Sequence, residues 1–440
     1  MDIQDNVIAE EGEPMEEEAQ NSQEEEKSSV YLPGQPLQEG EELICDQSAY
    51  IMLHQAQTGA PCLSFDIVKD KLGDNRDTYP LTSYIVAGTQ ASRTHINNLI
   101  VMKLSNMHRT NKESEDDDDD DDEDSDDEEE EELKKPHMAA ALIKHQGCVN
   151  RTRCTMFNDT VIAASWSELG RVNIWDLSQQ LKAVDDPNLL NSYIKGNVGN
   201  SVSPLFTFNG HQQEGFGMDW NSTNPGVLAT GDCKMDIHIW HPKEAGSWNV
   251  DQRPLVGHTR SVEDIQWSPN EPTVLASCSV DKSIRIWDTR APPSKACMLT
   301  TENAHESDVN VISWNRNEPF IVSGGDDGFL HIWDLRRFQH KTPVATFKHH
   351  TEPVTTVDWH PTDSSVFASG GSDNQIALWD LSVERDAENV GEEITEIPPQ
   401  LLFIHQGQTN IKELHWHPQI PGVIISTAES DFNIFRTISI

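Results

Sequence analysis

Serine, histidine and aspartate recur together along the chain, in a combination that could form a hydrolase triad. Ser277, His258 and Asp281 are one such set. A triad uses its histidine as a general base and its aspartate to orient that histidine, beside an oxyanion hole. A catalytic set occurs once, whereas this set returns at a regular interval. The repetition favours a structural role and predicts that the protein is not an enzyme.

Metal and phosphate chemistry find no support in the residue spacing. The chain has 18 histidines and seven cysteines, yet it contains no H-E-x-x-H motif and no C-x-x-C pair. No glycine-rich loop precedes a Lys-Ser or Lys-Thr pair, as a phosphate-binding loop would require. The sequence therefore predicts no metal site and no cofactor. No apolar stretch approaches the ~18 to 20 residues of a membrane span, so no membrane association is expected.

The segments that carry these residues repeat along the chain. Six short β-branched runs close on an aromatic residue, and the gaps between these aromatics are 65, 47, 46, 46 and 56 residues. A histidine stands 28 to 30 residues before each aromatic, and a second aromatic stands 18 to 20 residues before it. Alternating apolar runs separated by turn residues predict strands between these positions. The closing aromatics are Trp175, Trp240, Trp287, Trp333, Trp379 and Phe435.

These six units resemble the WD-repeat family, in which each unit of roughly 40 to 45 residues supplies one four-stranded blade of a β-propeller. The resemblance implies a hydrogen-bond network in each blade, joining the histidine to an aspartate and to the closing tryptophan. Three units have all the required residues: His258, Asp281 and Trp287; His305, Asp327 and Trp333; and His350, Asp373 and Trp379. The other units carry Leu169, Lys234 and Glu429 in the aspartate position, which predicts that packing alone holds those blades.

The N-terminal region is predicted to supply the blade that completes a seven-bladed ring. The runs 84–89 and 98–104 predict two strands joined by a polar turn, and closing the ring removes the open sheet edges. Residues 50–56 have apolar residues at helical spacing and precede a Gly-Ala-Pro stop signal, which predicts a short helix. The expected fold class is all-β, a seven-bladed WD-repeat β-propeller with a short N-terminal helix.

The formal net charge of −42 is concentrated in two segments. Residues 1–28 hold 11 acids and one lysine, and residues 113–132, the acidic tract, hold 18 acids and no base. Such segments offer too little apolar surface to offset the entropy of ordering them. The predicted organisation is a disordered acidic N-terminus at 1–40, a helix and propeller-closing strands at 41–108, a disordered Asp/Glu-rich loop at 109–137 and the propeller at 138–440.

The acidic tract predicts basic protein partners. A flexible polyanion beside a propeller mimics nucleic acid toward basic proteins, and it disfavours direct nucleic-acid binding. The alternative is a tail that only improves solubility. Ser114 and Ser125 precede acids in the pattern of acid-directed kinase substrates, and each phosphate would add roughly −1.5 to −2 charges. The carboxylates expected to meet a client include Glu115, Asp116, Asp120, Asp124, Glu128 and Glu132.

A second acidic segment follows the fifth unit and ends in Pro398-Pro399. With Tyr50 and Leu53, it resembles the retinoblastoma-binding histone chaperones, in which an N-terminal helix and an acidic loop ending in two prolines form a groove. The resemblance implies that a basic amphipathic helix binds there. The alternative is an acidic surface loop without a ligand. The acids of this segment that would face the client are Glu384, Asp386, Glu388, Glu392 and Glu393.

As a whole, the chain resembles the glutamate-rich WD-repeat proteins. This resemblance implies a monomeric, non-catalytic chaperone of the nucleus and nucleolus that binds a large-subunit ribosomal protein and core histones. A rival interpretation comes from two W-D-x-R motifs, which are similar to those with which some propellers dock on the adaptor of a cullin–RING ubiquitin ligase. That interpretation makes the protein a substrate receptor. The docking residues would be Asp288, Arg290, Asp334 and Arg336.

Overall fold

The fold was obtained as a computed structural model, which describes residues 45–93, 96–110, 133–197, 202–244, 246–384 and 398–440. Residues Asp46–Ile440 form one compact unit. The predicted acidic N-terminus and the acidic tract, including Ser114 and Ser125, lie outside the described residues. Four acids of the second acidic segment also lie outside them: Asp386, Glu388, Glu392 and Glu393.

Within the described residues, 28 strands form seven four-stranded antiparallel sheets. The strands are β1 (Tyr50–Ala56), β2 (Cys62–Val68), β3 (Leu81–Thr89), β4 (Asn98–Met107), β5 (His137–Lys144), β6 (Val149–Phe157), β7 (Thr160–Ser167), β8 (Arg171–Asp176), β9 (Phe206–Phe208), β10 (Gly215–Trp220), β11 (Leu228–Asp232), β12 (Ile237–Lys243), β13 (Ser247–Val250) and β14 (Val262–Trp267). They continue with β15 (Val274–Ser279), β16 (Ile284–Asp288), β17 (Cys297–Thr301), β18 (Val309–Trp314), β19 (Phe320–Gly325), β20 (Phe329–Asp334), β21 (Ala345–Lys348), β22 (Val354–Trp359), β23 (Val366–Gly371), β24 (Ile376–Asp380), β25 (Leu401–His405), β26 (Ile411–Trp416), β27 (Val423–Ala428) and β28 (Phe432–Thr437).

Each sheet is one blade of a seven-bladed propeller, as predicted. Blades 1 to 6 are β2–β5, β6–β9, β10–β13, β14–β17, β18–β21 and β22–β25, and blade 7 is β26–β28 completed by β1. The first strand of each blade contacts the first strands of its neighbours and lines a central channel. Because adjacent strands are antiparallel, the first and third strands of every blade end on one face of the ring, which we call the lower face.

Helices are confined to connections. Helices α1 (Ser178–Asp185) and α2 (Pro187–Asn197) lie between β8 and β9, and short 3-10 helices occupy Gln47–Ala49, Pro293–Lys295 and Leu335–His340. No helix among the described residues is long and apolar enough to cross a membrane.

Tight turns between the second and third strands explain part of the repeat spacing. These turns place one residue in the left-handed region, where L side chains are disfavoured. In blade 5 that residue is Gly328 (φ +74°), and a Cβ atom there would lie 2.5 Å from the carbonyl oxygen of His350. Lys282 (φ +65°) and Asn374 (φ +68°) occupy the same turn in the flanking blades. A glycine is therefore required in blade 5.

The predicted helix at residues 50–56 is wrong, because this segment is strand β1. It pairs with β28 through six residue pairs, from Tyr50 with Thr437 to Ala56 with Phe432, and so completes blade 7. The run Tyr-Ile-Met-Leu satisfies helical and alternating periods equally well over four residues. The unpaired edge of β28 decides between them, since an open edge leaves backbone donors and acceptors without partners. The N-terminal strand pair 84–89 and 98–104 lies in β3 and β4, as predicted.

The blade network is built around a serine that lies between the histidine and the tryptophan. In blade 4, His258 Nδ1 lies 3.0 Å from Asp281, and Trp287 Nε1 donates to Ser277 Oγ at 2.8 Å. His258 Nε2 lies 2.7 Å from the same Oγ. Blades 5 and 6 repeat the arrangement. The sets there are His305, Asp327, Ser323 and Trp333, and His350, Asp373, Ser369 and Trp379. This geometry satisfies a buried imidazole and a buried indole together.

The expectation that packing alone holds the other three blades is wrong. In blade 3, His211 Nδ1 lies 2.7 Å from Asp232, while Thr230 takes the place of the serine. In blade 2, His145 bonds to Ser165, which also accepts the Trp175 indole N–H. Asp232 lies two residues before Lys234, the position that the repeat spacing assigned to the acid. A fixed spacing therefore missed a carboxylate at the end of β11.

Buried histidines make the stability of the propeller depend on pH. Burial lowers the pKa of His405 to about 4 and that of His417 to about 3, below the ordinary value near 6.5. Below pH 6.5 the folded protein therefore binds fewer protons than the unfolded chain, so the stability from these neutral rings is complete above pH 6.5 and falls with the pH. We expect each ring to cost about 2 kcal/mol by pH 5, measured as urea midpoints from pH 7 to pH 5.

The variant His417→Asn separates this effect from general acid denaturation. His417 Nδ1 accepts the backbone N–H groups of Gln419 and Ile420 at 3.1 Å each. The asparagine Oδ1 can accept in the same region, but it does not titrate. The variant should therefore lose less stability than the parent chain between pH 6.5 and pH 5. An unchanged acid dependence would contradict the assignment to this ring.

Candidate functional site

The two parts of the predicted groove meet where blades 6 and 7 adjoin. The Tyr50 ring of β1 lies 5.4 Å from the Phe403 ring of β25, and its hydroxyl lies 2.7 Å from His405 Nδ1. Tyr50 is 4% exposed. It is therefore a core residue that joins the two blades, and its predicted contact with a client is wrong. Sequence reasoning placed it on a helix surface, whereas on a strand it points into the blade.

A half-buried apolar strip remains beside this junction. Leu53 of β1 and Leu402 and Phe403 of β25 pack partly against the core of blades 6 and 7. Half-buried Pro398 and Pro399 lead into β25, and the Pro398 carbonyl accepts the Leu401 N–H at 3.0 Å. Glu384 is exposed at the other end of the same connection. The junction therefore offers apolar side chains next to the attachment points of the second acidic segment.

The chain that enters the acidic tract is fixed to the outer edge of β1. The Thr110 N–H donates to the Ile51 carbonyl at 3.0 Å, and the Leu53 N–H donates to Thr110 Oγ1 at 2.8 Å. The chain returns at Leu133, where the Asn106 side-chain amide donates to the carbonyls of Leu133 and Lys135 at 2.8 Å each. Both ends of the tract are thereby held near β4, and its first end lies against Leu53.

Both acidic connections leave the lower face. The acidic tract joins β4 to β5, the third and fourth strands of blade 1, and the second acidic segment joins β24 to β25, the third and fourth strands of blade 6. Third strands end on the lower face. Blade 7 lies between these two blades, and β1 is its outer strand. The apolar strip at Leu53 is thus flanked by the attachment points of both segments.

Comparison with known sequences agrees with this arrangement. Residues 40–108 match the family of the histone-binding protein RBBP4, a component of the CAF1 complex, and residues 250–288, 296–334 and 341–380 match the WD domain, G-beta repeat. The chain is 45% identical to glutamate-rich WD repeat-containing protein 1 of Dictyostelium discoideum, over 91% of this chain and 83% of the relative. The chain belongs to the glutamate-rich WD-repeat protein family.

Two further relatives widen the family. Protein HEAT STRESS TOLERANT DWD 1 of Arabidopsis thaliana is 44% identical over 93% of this chain and 92% of its own length. Ribosome assembly protein rrb1 of Schizosaccharomyces pombe is 40% identical over 97% of this chain and 88% of its own length. The identity extends over nearly all of each glutamate-rich WD-repeat relative, whereas the histone-binding match is limited to the region of β1–β4.

In this glutamate-rich WD-repeat protein, both W-D-x-R motifs lie at third-strand ends on the lower face. Arg290 Nη2 lies 2.6 Å from Asp288, and Arg336 Nη2 lies 2.8 Å from Asp334. Hydrogen bonds from each arginine hold the pKa of its aspartate below the ordinary value. The arginine side chains are 72% and 63% exposed. Two neighbouring blades therefore present the same fixed, exposed guanidinium.

The second aromatic of each repeat joins neighbouring blades, a role that sequence reasoning missed. Trp267 donates its backbone N–H to Asp219 Oδ2 at 2.7 Å and its indole N–H to the Asp219 carbonyl at 3.1 Å. Trp359 makes the same pair of bonds to Ser313, and Trp416 makes them to Asp358. The signal was present, because a polar residue directly precedes most of these tryptophans.

Ionised groups fill the channel near the junction of blades 7, 1 and 2. Glu413 is 2% exposed, and its Oε1 lies 2.7 Å from both Arg151 and Arg153. Its Oε2 accepts the backbone N–H of Phe65 at 2.7 Å. Although burial opposes ionisation, the two arginines hold the pKa of Glu413 well below its usual range. Among the described residues, no group of three or more His, Cys, Asp and Glu side chains could hold a metal ion.

Proposed function

We propose that this protein is a non-catalytic acidic chaperone that binds basic proteins during ribosome assembly in the nucleus and nucleolus. Its clients would be a large-subunit ribosomal protein and core histones. One observation carries the proposal: two acidic connections leave the same face on either side of blade 7, around the apolar strip at Leu53. The similarity to a ribosome assembly protein and to a histone-binding family supports it.

The apolar strip and the acidic segments would have different roles. An amphipathic basic segment would place its apolar side chains on the strip, and the strip would determine which segment binds. The acidic tract carries 18 acids without a base, so it would attract and retain a client of high positive charge. Exposed charges are screened over about 8 Å at physiological ionic strength. The tract should therefore affect the association rate and its salt dependence more than the final affinity.

A substitution that removes charge without shortening the chain tests this proposal. In the test variant, every acid of residues 113–132 is replaced by its amide. We expect the variant to fold normally, to bind core histones and the basic large-subunit ribosomal proteins about tenfold more slowly at low salt, and to match the parent at high salt. Stopped-flow association at several salt concentrations measures this. Equal rates for both chains at every salt concentration would remove the tract from the mechanism.

The exposed Asp–Arg pairs favour a second candidate function, docking on a cullin–RING ligase adaptor. Their guanidinium groups are held in place and repeat on adjacent blades, as a docking surface requires. The variant with Arg290→Ala and Arg336→Ala serves as an additional arm of the client experiment. Loss of purified adaptor binding with unchanged histone binding would support a ligase role beside the chaperone role. Unchanged adaptor binding, or none by the parent, would exclude these motifs.

A further inference from the structure

The central channel widens into a cavity of about 480 Å³ that opens on the lower face. Its wall is formed by the last residues of five innermost strands. These are Trp220, Trp267, Trp314, Trp359 and Trp416. The cavity therefore opens on the same face as both acidic connections. It is separate from the apolar strip, which lies at the outer edge of blades 6 and 7.

The polar groups inside the cavity are divided between two halves. Blades 3 to 6 contribute an arc of hydrogen-bond acceptors, namely Asp219, Gln266, Ser313 and Asp358, with no base among them. Blades 7, 1 and 2 contribute His415, Asp66 and Arg153. Arg153 is already paired with Glu413 at 2.7 Å. The acceptor arc thus has two carboxylates and no cation of its own.

The carboxylates of the arc have unused hydrogen-bonding capacity. Asp219 Oδ2 accepts the Trp267 N–H, and Asp358 Oδ2 accepts the Trp416 N–H at 3.1 Å. The second oxygen of each accepts no hydrogen bond from the described residues. Burial raises the pKa of Asp219 to about 7, so this carboxylate lacks the solvation that an ionised group needs. A cation placed beside it would supply that stabilisation.

We propose that the acceptor arc binds one cationic side chain, an arginine or a lysine, of a basic protein that approaches the lower face. This inference rests on the proposed function, because it assumes a basic client. The indole faces are suitable neighbours for a guanidinium or an ammonium group, and a planar guanidinium can bond to a carboxylate through two N–H groups. Lys69 and Arg316 lie at the rim and are exposed, so solvent screens their repulsion of an entering cation.

A pair of peptides that differ only in charge tests the inference. The probe is acetyl-Gly-Gly-Arg-Gly-Gly-amide, and its control carries citrulline, which has nearly the shape of arginine without the charge. Fluorine NMR of the full chain labelled with 5-fluorotryptophan reports binding at the cavity tryptophans. We expect the arginine peptide to shift these resonances and the citrulline peptide to bind at least tenfold more weakly. Equal binding of both peptides would overturn the proposal.

The variant Asp219→Asn identifies the residue responsible. Asparagine retains an acceptor for the Trp267 N–H and removes the charge, so arginine-peptide binding should weaken about tenfold or more. The control Asp363→Asn removes an exposed carboxylate from the β22–β23 connection on the same face and should change nothing. If Asp219→Asn does not fold, Asp358→Asn takes its place. No effect of the cavity variant, or an equal effect of the control, would overturn the proposal.

Histone binding by the same samples separates this inference from the proposed function. If core histones bind and the arginine peptide does not, only the cavity proposal fails. If the parent chain binds neither histones nor basic ribosomal proteins, the chaperone proposal fails, whatever the peptide does.

Discussion

Deletion of residues 1–57 is expected to abolish the stable propeller, whereas deletion of residues 1–44 leaves it intact. The longer deletion removes β1, its six residue pairs with β28 and two buried side chains, Tyr50 and Met52. Each such side chain contributes roughly 1.5–3 kcal/mol by burial, and the exposed β28 edge invites aggregation. The combined loss of about 5 kcal/mol or more approaches the whole stability of a typical domain.

The shorter deletion is a closely matched control. Both deletions remove the acids of the N-terminal segment and differ by only one acidic residue, Asp46. Thermal unfolding by circular dichroism and size-exclusion chromatography should therefore show a native-like monomer for the shorter deletion and aggregated or unfolded chain for the longer one. Equal melting temperatures would contradict the closure of blade 7 by β1.

The residues that could be predicted from the sequence are those with local marks. Six blades were recognisable because an aromatic closes each unit, as Trp287 and Trp333 do 46 residues apart. The seventh blade lacks these marks, but the apolar runs of β3 and β4 still indicate strands. The local pattern of residues 50–56 was ambiguous, and its partner β28 lies nearly the whole chain length away. Pairing between distant segments leaves no periodic signal in either one.

The same limit explains the errors at the candidate site. Tyr50 was assigned to a groove because the resemblance supplied a helix there, and a strand turns the same side chain into the core. The charged channel was not foreseen because Arg151 and Glu413 are separated by 262 residues. Residue types at such separations carry no information about contact until the ring is closed. The fold could therefore be predicted from the sequence, but the accessible surface of the site could not.

The variant Glu413→Gln is expected to lower the free energy of unfolding by about 3–5 kcal/mol. The substitution keeps an acceptor for the Phe65 N–H but leaves Arg151 and Arg153 without their carboxylate. Their side chains are only 14% and 16% exposed, so the unpaired charges would remain largely without water. Urea unfolding at pH 7, followed by tryptophan fluorescence, measures the loss. The depressed pKa of Glu413 means that the parent has this stability above the ordinary carboxyl pKa and loses it at lower pH.

Two comparison variants separate charge burial from mere loss of an ion pair. Glu429→Gln breaks an exposed pair in which Lys412 lies 3.4 Å from a carboxylate that is 54% exposed, and it should cost less than about 1 kcal/mol. A triple variant, with methionine at 151 and 153 and leucine at 413, removes all three charges and should recover much of the lost stability, since apolar groups of similar volume can replace a buried ion cluster. If the triple variant is no more stable than Glu413→Gln, the cost lies in channel packing and not in uncompensated charge.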